Sequence, residues 1–412
     1  MRMKELMSEP AGKQSPDQVD LVAIENRHSS GAYAKRPVVM VKGQGASLWD
    51  AEGHRYIDCM SGLGVANVGH NHPHLVAAVS SQLERLMVCG EAFYHEQRAL
   101  FLKELTALTP GDLNRVFLCN SGAEAIESAI KVARCLTGRS EIVAFNRGYH
   151  GRTMGDLSLT WNPRYRAPFH PLLPGMIHVP FNNIEELERA MTGRTAAVVL
   201  ELIQGEGGIW LAEPDFLRQV RQLCDQRQVL LVVDEVQTGL GRTGKIFAIE
   251  HYGVQPDIMC LGKALGGGIP IGAVIWRDKF GPLSPGSHGS TFGGNPIACA
   301  AGLAVLQILA AERLPERAAR LGRIFMDQLR SVKLPIIREV RGMGLMVGVD
   351  LRLSVDPVIK ALMNEHILAA YGGKTVIRLL PPLVIPEVEL SQVVAAITKV
   401  LTDISREIGH AA

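Results

Sequence analysis

The stretch Val229–Arg242, VLLVVDEVQTGLGR, opens with an apolar run, Val229–Val233, that ends on a carboxylate at Asp234. Such a short uninterrupted run is typical of a strand that is buried on both faces in a parallel sheet. A second apolar run, Ile258–Leu261, is followed by a lone lysine, Lys263, and a cluster of glycines. Because ligand sites in open α/β sheets lie at the carboxyl ends of the strands, the sequence predicts that Asp234 and Lys263 converge on one crevice.

The composition narrows the class of protein. The chain has 412 residues, a formal net charge of +2 and 47% hydrophobic residues. A chain of this length should divide into two domains, and its nearly balanced charge argues against a nucleic-acid binder, which usually has a strongly basic face. The seven cysteines are scattered and never form a CxxC pair. We therefore expect reduced thiols in a cytoplasmic protein rather than disulfides or a zinc site.

The order of strand and helix patterns predicts the fold class. Strands and helices alternate over residues 115–233, which indicates an α/β fold whose large domain has a mostly parallel, doubly wound sheet. Short strands over Pro37–Met60 and further patterns near the end of the chain predict a smaller α+β domain built from both termini. The expected division is 21–68 and 311–412 in the small domain and 69–310 in the large domain.

The first 20 residues carry charges and a Ser-Pro but no apolar core. We expect residues 1–20 to be loosely ordered, and to be neither a signal peptide nor a membrane anchor. No later segment approaches the apolar length that a membrane span requires, so the sequence predicts no membrane partner.

Three histidines at alternate positions, His70, His72 and His74, suggest a metal site at first sight. Histidine ligands on one helix are normally three or four residues apart, and no nearby Cys, Asp or Glu completes a cluster. We interpret the segment as the start of a helix with Pro73 in its first turn, and expect no metal.

A Ser-Gly turn, Ser121-Gly122-Ala123, follows a predicted strand and leads directly into a predicted helix. The N-terminus of a helix offers free backbone N–H groups and a positive dipole end, which suit a phosphate, although an ordinary N-cap fits equally well. Together with Asp234 and Lys263, the turn supplies what pyridoxal phosphate needs. A lysine forms the Schiff base, and an acid faces the pyridine nitrogen.

Two blocks, DEVQTGLGRTGK from Asp234 and GKALGGGIPIGA around Lys263, resemble the class III (ω-amino) aminotransferases. The resemblance covers nearly the whole chain. It implies the fold-type I architecture of pyridoxal-phosphate-dependent transferases, pyridoxal 5'-phosphate as cofactor, and transfer of an amino group between a small-molecule amino donor and 2-oxoglutarate or glutamate. It also implies a homodimer or a higher homo-oligomer.

The resemblance further implies a role for individual residues around the cofactor. Lys263 forms the Schiff base and then moves the proton, while Asp234 pairs with the pyridinium nitrogen. Tyr149 falls where the family usually has a phenylalanine stacked on the ring, and Gln237 matches the group beside the phenolic oxygen. The residues that match the phosphate site are Ser121, Gly122, Ala123 and Thr291, the last of which reaches into the neighbouring subunit.

The implied substrate pocket accepts two substrates in turn. Arg378 matches the clamp for the α-carboxylate of glutamate, and Glu206 matches the group that neutralises this arginine while an ω-amine is bound. A permanent ion pair between the two is the alternative. Arg152 matches the residue that binds the distal carboxylate of the donor. Leu63 stands where ornithine aminotransferases carry a tyrosine that binds the free α-amino group, so free ornithine is a poor candidate.

Two further blocks, residues 159–166 and 338–348, look most like acetylornithine aminotransferases and their relatives that act on LysW-γ-L-lysine. We therefore expect an N-acylated ornithine or lysine as donor, with an acidic carrier protein as partner if the donor is of the LysW type. The alternative donors are 4-aminobutyrate and a diamine such as putrescine.

Two other classes of protein compete with this interpretation. Gly239–Gly244 matches GxGxxG, which suggests a dinucleotide-dependent oxidoreductase. That motif binds a dinucleotide only where it joins a strand directly to a helix, whereas here five residues intervene after the strand and no helix start follows. A relative that kept the fold without the activity would have little reason to retain both Asp234 and Lys263.

Overall fold

A computed structural model gives the fold of residues 20–410. The segment that we expect to be loosely ordered falls, apart from Asp20, on residues 1–19, which lie outside the described residues.

The α-helices of the described residues are, in chain order, α1 (Leu21–His28), α2 (Ser61–Gly64), α3 (Pro73–Arg85), α4 (Glu96–Leu108), α5 (Gly122–Thr137), α6 (Met154–Leu159), α7 (Pro163–Arg166), α8 (Ile184–Ala190), α9 (Pro214–Arg227), α10 (Pro296–Ala311), α11 (Leu314–Ser331), α12 (Asp356–Asn364) and α13 (Glu387–His410). Short 3₁₀ helices span Ala167–Phe169, Ala248–His251, Lys263–Gly266 and Asp278–Phe280.

The strands of the same residues are β1 (Met40–Gln44), β2 (Ser47–Asp50), β3 (Arg55–Asp58), β4 (Leu113–Cys119), β5 (Glu141–Phe145), β6 (Met176–Val179), β7 (Thr195–Glu201), β8 (Ile203–Gln204), β9 (Trp210–Leu211), β10 (Leu230–Asp234), β11 (Ile258–Leu261), β12 (Gly272–Arg277), β13 (Ile337–Met343), β14 (Met346–Leu351), β15 (Ile367–Leu368), β16 (Ala370–Gly372) and β17 (Val376–Leu379).

The central sheet contains seven strands in the order β4-β12-β11-β10-β7-β5-β6. Strand β10 is parallel to both β7 and β11, and β5 is parallel to β6 and β7, whereas β12 runs antiparallel to both of its neighbours. The predicted mostly parallel sheet is therefore confirmed. Every residue of β10 is buried, as its continuous apolar sequence requires when both faces of the sheet are covered.

Alternate residues of β10 pack into two different apolar cores. Leu231 and Val233 belong to the core on one face of the sheet, and Leu230 and Val232 belong to the core on the other. Helix α5 contributes Ala125, among others, to the second core, and α10 contributes to the first. Helices thus cover both faces, which is the doubly wound arrangement expected from the sequence.

Strands from both ends of the chain share a second sheet, as expected. It has the order β1-β2-β3-β15, and Ile57 of β3 is the parallel partner of Ile367 in β15. A third sheet, β13-β14-β17-β16, is antiparallel and places Arg378 on β17 opposite Gly348 of β14. The remaining pair, β8 and β9, forms a small hairpin.

The sequence patterns do not predict strand β6 or helix α4. Strand β6 has the sequence MIHV, lies at one edge of the central sheet and is mostly only half-buried, so it lacks the apolar run that marks the inner strands. No single helix among the described residues is long and apolar enough to cross a membrane. The pair α10 and α11, bent by 61° at the break between them, meets that criterion only when taken together, and both helices contribute to the core.

Candidate active site

Several of the predicted site residues lie at the carboxyl ends of the central strands, on the same side of the sheet. Strands β7 and β10 end on Glu201 and Asp234, which are register partners. Strand β11 ends two residues before Lys263, and β4 ends two residues before Ser121. Since β4, β7, β10 and β11 run in the same direction, these side chains lie along the same crevice.

The Asp234 carboxylate is buried and held in one orientation. Its Oδ1 accepts a hydrogen bond from the backbone N–H of Val236 at 3.0 Å, and its Oδ2 lies 2.8 Å from Nδ1 of His150. Burial opposes protonation of His150, but the hydrogen bond and the charge of Asp234 outweigh it and raise the pKa of His150.

Lys263 begins a 3₁₀ helix and has a backbone φ of +43°, in the left-handed region. The preceding residue, Gly262, touches the Ser-Gly turn so closely that a Cβ on it would lie 2.9 Å from Cα of Gly122. Burial lowers the pKa of Lys263. The negative charge of Glu206 raises it, and the positive charge of Arg378 lowers it further. An amine with a lowered pKa is a better nucleophile towards a carbonyl group near neutral pH.

The Ser-Gly turn forms the N-terminus of the 16-residue helix α5. Ser121 is the N-cap, and its Oγ accepts a hydrogen bond from the N–H of Glu124 at 3.1 Å. A Cβ on Gly122 would lie 2.6 Å from Cγ1 of Val236, so a larger residue would not fit. Among the described residues, neither the N–H of Gly122 nor that of Ala123 has a hydrogen-bond acceptor. These two donors are free for an anion.

A buried arginine lies at the other side of the crevice. Arg378 is 1% exposed, and its Nη2 donates to Oε1 of Glu206 at 2.5 Å. Its Nη1 donates to Oε1 of Gln237 at 3.3 Å. Gln237 packs so tightly against Gly205 that a Cβ on the glycine would lie 2.1 Å from its Oε1. The pair that we predict from the sequence therefore forms in the structure, with Gln237 as its third member.

Two tyrosines and an arginine form a cluster near this pair. The guanidinium carbon of Arg152 lies 3.6 Å from the ring centroid of Tyr165 and 5.6 Å from that of Tyr149. The two rings meet edge to face, with centroids 6.0 Å apart. A cation held over an aromatic face keeps its planar donors in a defined direction, so the cluster orients Arg152.

A cavity of about 610 Å³ opens beside this cluster. Tyr149, Tyr165 and Glu206 line it on the side of the crevice. Its other lining residues include three exposed basic side chains and two aromatic ones: Arg147, Arg164, Lys374, Trp161 and Tyr371. Because the only acidic residue of the lining is already paired with Arg378, the mouth of the cavity carries a net positive charge.

Leu63 and Thr291 are the most exposed of the predicted site residues together with Arg152. Leu63 is 41% exposed and has a φ of +66°. The next residue, Gly64, lies close to Gln237, since a Cβ added to this glycine would be 3.6 Å from Cγ of Gln237. Thr291 is exposed in a loop whose preceding residue, Ser290, accepts a hydrogen bond from Asn120. The structure thus places Leu63 near the crevice, while Thr291 faces outward.

Sequence reasoning did not single out two buried groups of the crevice, His150 and Glu201. His150 follows Tyr149 directly, and its contact with Asp234 joins positions 84 residues apart. The Glu201 carboxylate accepts hydrogen bonds from the N–H groups of Tyr149 and Gly205, at 2.8 and 3.1 Å. Glu201 ends the apolar run of β7 as Asp234 ends that of β10, so the pattern that predicts Asp234 also marks Glu201.

The three histidines near residue 72 have three different partners. His70 lies 2.7 Å from Asp58, His72 lies 2.8 Å from Glu312, and His74 lies 2.8 Å from Gln307. Each contact attaches the start of helix α3 to another element.

The glycine motif Gly239–Gly244 leads from turns into a 3₁₀ helix, Ala248–His251, and no α-helix follows it before β11. Arg242 within it is fully buried and donates to the carbonyls of Leu345 and Pro381, at 2.9 and 2.5 Å. The segment therefore connects parts of the fold and lacks the strand-to-helix geometry of a dinucleotide site.

A strand-end carboxylate, a strand-end lysine and a free helix N-terminus on a mostly parallel sheet define the class of the protein. They fit pyridoxal phosphate, because the free N–H groups of Gly122 and Ala123 suit its phosphate and the amine of Lys263 suits its aldehyde. The chain belongs to the class III aminotransferases, whose family model matches residues 29–401. It is a pyridoxal-phosphate-dependent aminotransferase, and the dinucleotide alternative is wrong.

Known proteins resemble the chain over nearly its whole length. The [LysW]-aminoadipate semialdehyde transaminase of Deinococcus radiodurans is 46% identical over 388 residues, which cover 93% of this chain and 90% of the relative. The acetylornithine aminotransferase of Methanopyrus kandleri is 45% identical, with 93% and 99% of the two chains covered. Among solved structures, the ornithine aminotransferase of Toxoplasma gondii superposes with a TM-score of 0.90 at 37% identity and covers 94% of each chain.

Proposed function

We propose that this aminotransferase takes the terminal amino group of an N-acylated diamino acid, of the N-acetylornithine or LysW-γ-lysine type, and passes it to 2-oxoglutarate, giving a semialdehyde and glutamate. The names of the Deinococcus and Methanopyrus relatives support this choice of donor. The observation that carries the proposal is the ion pair between the buried Arg378 and the partly exposed Glu206, because a partner that can leave the arginine would let one pocket accept both substrates.

Pyridoxal phosphate, when bound, carries the amino group and withdraws electrons from the carbon that loses its proton. In this proposal Lys263 holds the cofactor and moves that proton. Asp234, oriented by His150, keeps the ring nitrogen protonated. Tyr149 would cover the ring, and Gln237 would lie beside its phenolic oxygen. Ser121, Gly122, Ala123 and, from the neighbouring subunit, Thr291 would bind the phosphate.

The Arg378 and Glu206 pair accommodates two substrates that differ next to the reacting amine. Glutamate has a carboxylate at that point, which the planar fork of Arg378 binds once Glu206 has turned away. The donor has only hydrogens there, so Glu206 must return, since an unpaired buried guanidinium would cost several kcal/mol. Glu206 suits this movement because its side chain is 28% exposed, while that of Arg378 is 2% exposed.

The far end of the donor is matched by charge and by an apolar contact. Arg152 binds its carboxylate, and Leu63 tolerates an acylated α-nitrogen better than a charged one, because burying an unpaired ammonium is costly. The exposed Arg147, Arg164 and Lys374 suit an acyl group that is itself acidic, such as one presented by an acidic carrier protein.

The minimum active unit in this proposal is a homodimer, because Thr291 is exposed in its own chain and matches the residue that reaches the phosphate site of the neighbouring subunit. Sedimentation that shows an active monomer would exclude this assembly. The division of the chain into 21–68 with 311–412, and 69–310, is also a proposal, supported by the sheet that β3 and β15 share. The cytoplasmic location stays a prediction from cysteine usage.

One assay tests the donor directly. The kcat/KM values for N-acetylornithine, 4-aminobutyrate, putrescine and ornithine are compared with 2-oxoglutarate as acceptor. We expect N-acetylornithine to be preferred, since 4-aminobutyrate leaves the acyl part of the pocket empty and putrescine leaves Arg152 unpaired. A tenfold preference for 4-aminobutyrate or putrescine, about 1.4 kcal/mol of transition-state binding, would contradict the proposal.

A further inference from the structure

Glu201 is a buried carboxylate that touches two functional loops at once. It ends strand β7 beside Asp234, is 6% exposed, and accepts hydrogen bonds from two different loops at the crevice. We infer that Glu201 is a positioning residue, which fixes the loop that carries Tyr149 relative to the turn that carries Glu206. The inference rests on the roles proposed above for Tyr149 and Glu206.

Each oxygen of the carboxylate serves a different loop. Oε1 accepts from the N–H of Tyr149 at 2.8 Å, and Oε2 accepts from the N–H of Gly205 at 3.1 Å. Tyr149 is followed by His150, which binds Asp234. The contact from Glu201 to Tyr149 therefore acts on the residues that are proposed to hold the cofactor ring. Gly205 is followed by Glu206, so the contact from Glu201 to Gly205 acts on the side chain that is proposed to leave and rejoin Arg378. Both N–H groups need an acceptor, and Glu201 supplies it.

The main chain of the Glu206 turn is held from three directions, which leaves its side chain as the mobile part. The N–H of Gly373 donates to the carbonyl of Glu206 at 2.9 Å. Arg341 donates to the carbonyls of Gly208 and Ile209 at 2.6 and 3.0 Å. The contact from Glu201 to Gly205 completes this support on the side of the cofactor. A shift of the turn would therefore move Glu206 away from Arg378.

Only a carboxylate of this length fits both contacts. A glutamine at position 201 would keep one acceptor oxygen but would point an amide N–H₂ at the other backbone N–H. An aspartate would keep the charge but is one methylene shorter, so it can reach only one of the two loops. Burial raises the pKa of Glu201 to about 7, with the charge of His150 acting against this, so the site retains the acid despite a cost.

A second buried glutamate provides a matched control. Glu235 directly follows β10 and is 1% exposed, and burial raises its pKa to about 7 as well. Its Oε1 accepts from the N–H of Ile249 at 2.8 Å, and its Oε2 accepts from the hydroxyl of Thr238. E235Q therefore removes a comparable buried acceptor without a contact to Tyr149 or Gly205.

The test compares wild type, E201Q, E201D and E235Q as holoenzymes. The visible circular dichroism of the bound cofactor reports on how the site holds the cofactor ring. Single-turnover kinetics with glutamate and with N-acetylornithine gives the second-order rate constant of each half-reaction. We expect both Glu201 variants to change the dichroic band and to lower both half-reactions at least fivefold, on the order of 1 kcal/mol, with E235Q within twofold of wild type. Glu201 variants that match E235Q in all three measurements would overturn the inference.

Two further measurements separate a failure of the proposed function from a failure of the role inferred for Glu201. If wild type itself shows no cofactor band or neither half-reaction, the proposed function fails, and not merely the role of Glu201. Hydrogen exchange on the wild-type holoenzyme needs no variant to fold, and we expect the amides of Tyr149 and Gly205 to exchange at least a hundredfold more slowly than unprotected loop amides. Exchange of either amide at the unprotected rate would also overturn the inference.

Discussion

Arg378 and Glu206 form an ion pair in which the two side chains differ in how freely they can move. The guanidinium of Arg378 is almost fully buried and also donates to Gln237, whereas the side chain of Glu206 is 28% exposed and lines the open cavity. The arginine thus has a fixed position and the glutamate has room to rotate. Both arrangements of the switch proposed above require this asymmetry.

Glu206→Ala should separate the two half-reactions. The variant leaves Arg378 without its partner, so kcat/KM for N-acetylornithine should fall about tenfold or more, while that for glutamate stays within about threefold because the arginine is free to bind its carboxylate. Single-turnover kinetics with each substrate measures the ratio. Asp225→Ala, which removes an exposed partner of the mostly buried Arg221 far from this turn in the sequence, is the control. An equal loss in both half-reactions would indicate a permanent structural pair.

Lys263→Ala should remove transamination and the visible absorbance of the cofactor bound to lysine. We expect the rate to fall on the order of 10³-fold or more, because the variant lacks the amine that is proposed to bind the cofactor and move the proton. Borohydride reduction of the wild-type holoenzyme, followed by peptide mapping, should place the label on Lys263. Lys245, which is exposed in the same glycine-rich region, serves as the control substitution. Label on another lysine, or normal turnover by the variant, would refute the assignment.

Leu63→Tyr should shift the enzyme towards free ornithine. A phenolic hydroxyl at this position would give the charged α-amino group a hydrogen-bond partner, so kcat/KM for ornithine relative to N-acetylornithine should rise about tenfold. The exchange adds little backbone strain, because Leu63 already has a positive φ. Leu63→Phe supplies the ring without the hydroxyl and should not produce the shift. If both variants behave alike, size rather than hydrogen bonding sets the preference.

Glu235→Gln should flatten the pH dependence of stability. Burial raises the pKa of Glu235 from 4.5 to about 7, so the folded state binds its proton more tightly than the unfolded state does. This contribution is fully present below pH 4.5 and is lost as the pH rises through 7, on the order of 3 kcal/mol in total. Between pH 5.5 and 8 the Tm of wild type should fall more than that of the variant in scanning calorimetry. Parallel Tm curves would mean that Glu235 is not a titrating group.

The sequence is sufficient to predict the inner strands of the central sheet and the groups at their ends, because an uninterrupted apolar run followed by a charged residue is typical of a buried strand that ends at a ligand site. Asp234 and Lys263 are predicted by that pattern. The partners of these groups are not, since His150 reaches Asp234 across 84 positions and a local pattern contains no such contact. The family resemblance adds Arg378 and Glu206 as candidates. Their distance, and the third member Gln237, come only from the folded chain.

The pairing of β3 with β15 has a consequence for how the protein is made. Ile57 meets Ile367 in parallel, so the first strands of the chain have no complete sheet until about three hundred more residues have left the ribosome. Non-local pairings of this kind form late, and chains are synthesised at roughly 5–20 residues per second. During those tens of seconds the strand edge of β3 stays open to other chains. Arg378 follows β15 in the chain, so the arginine proposed to bind the α-carboxylate is also synthesised only after this interval.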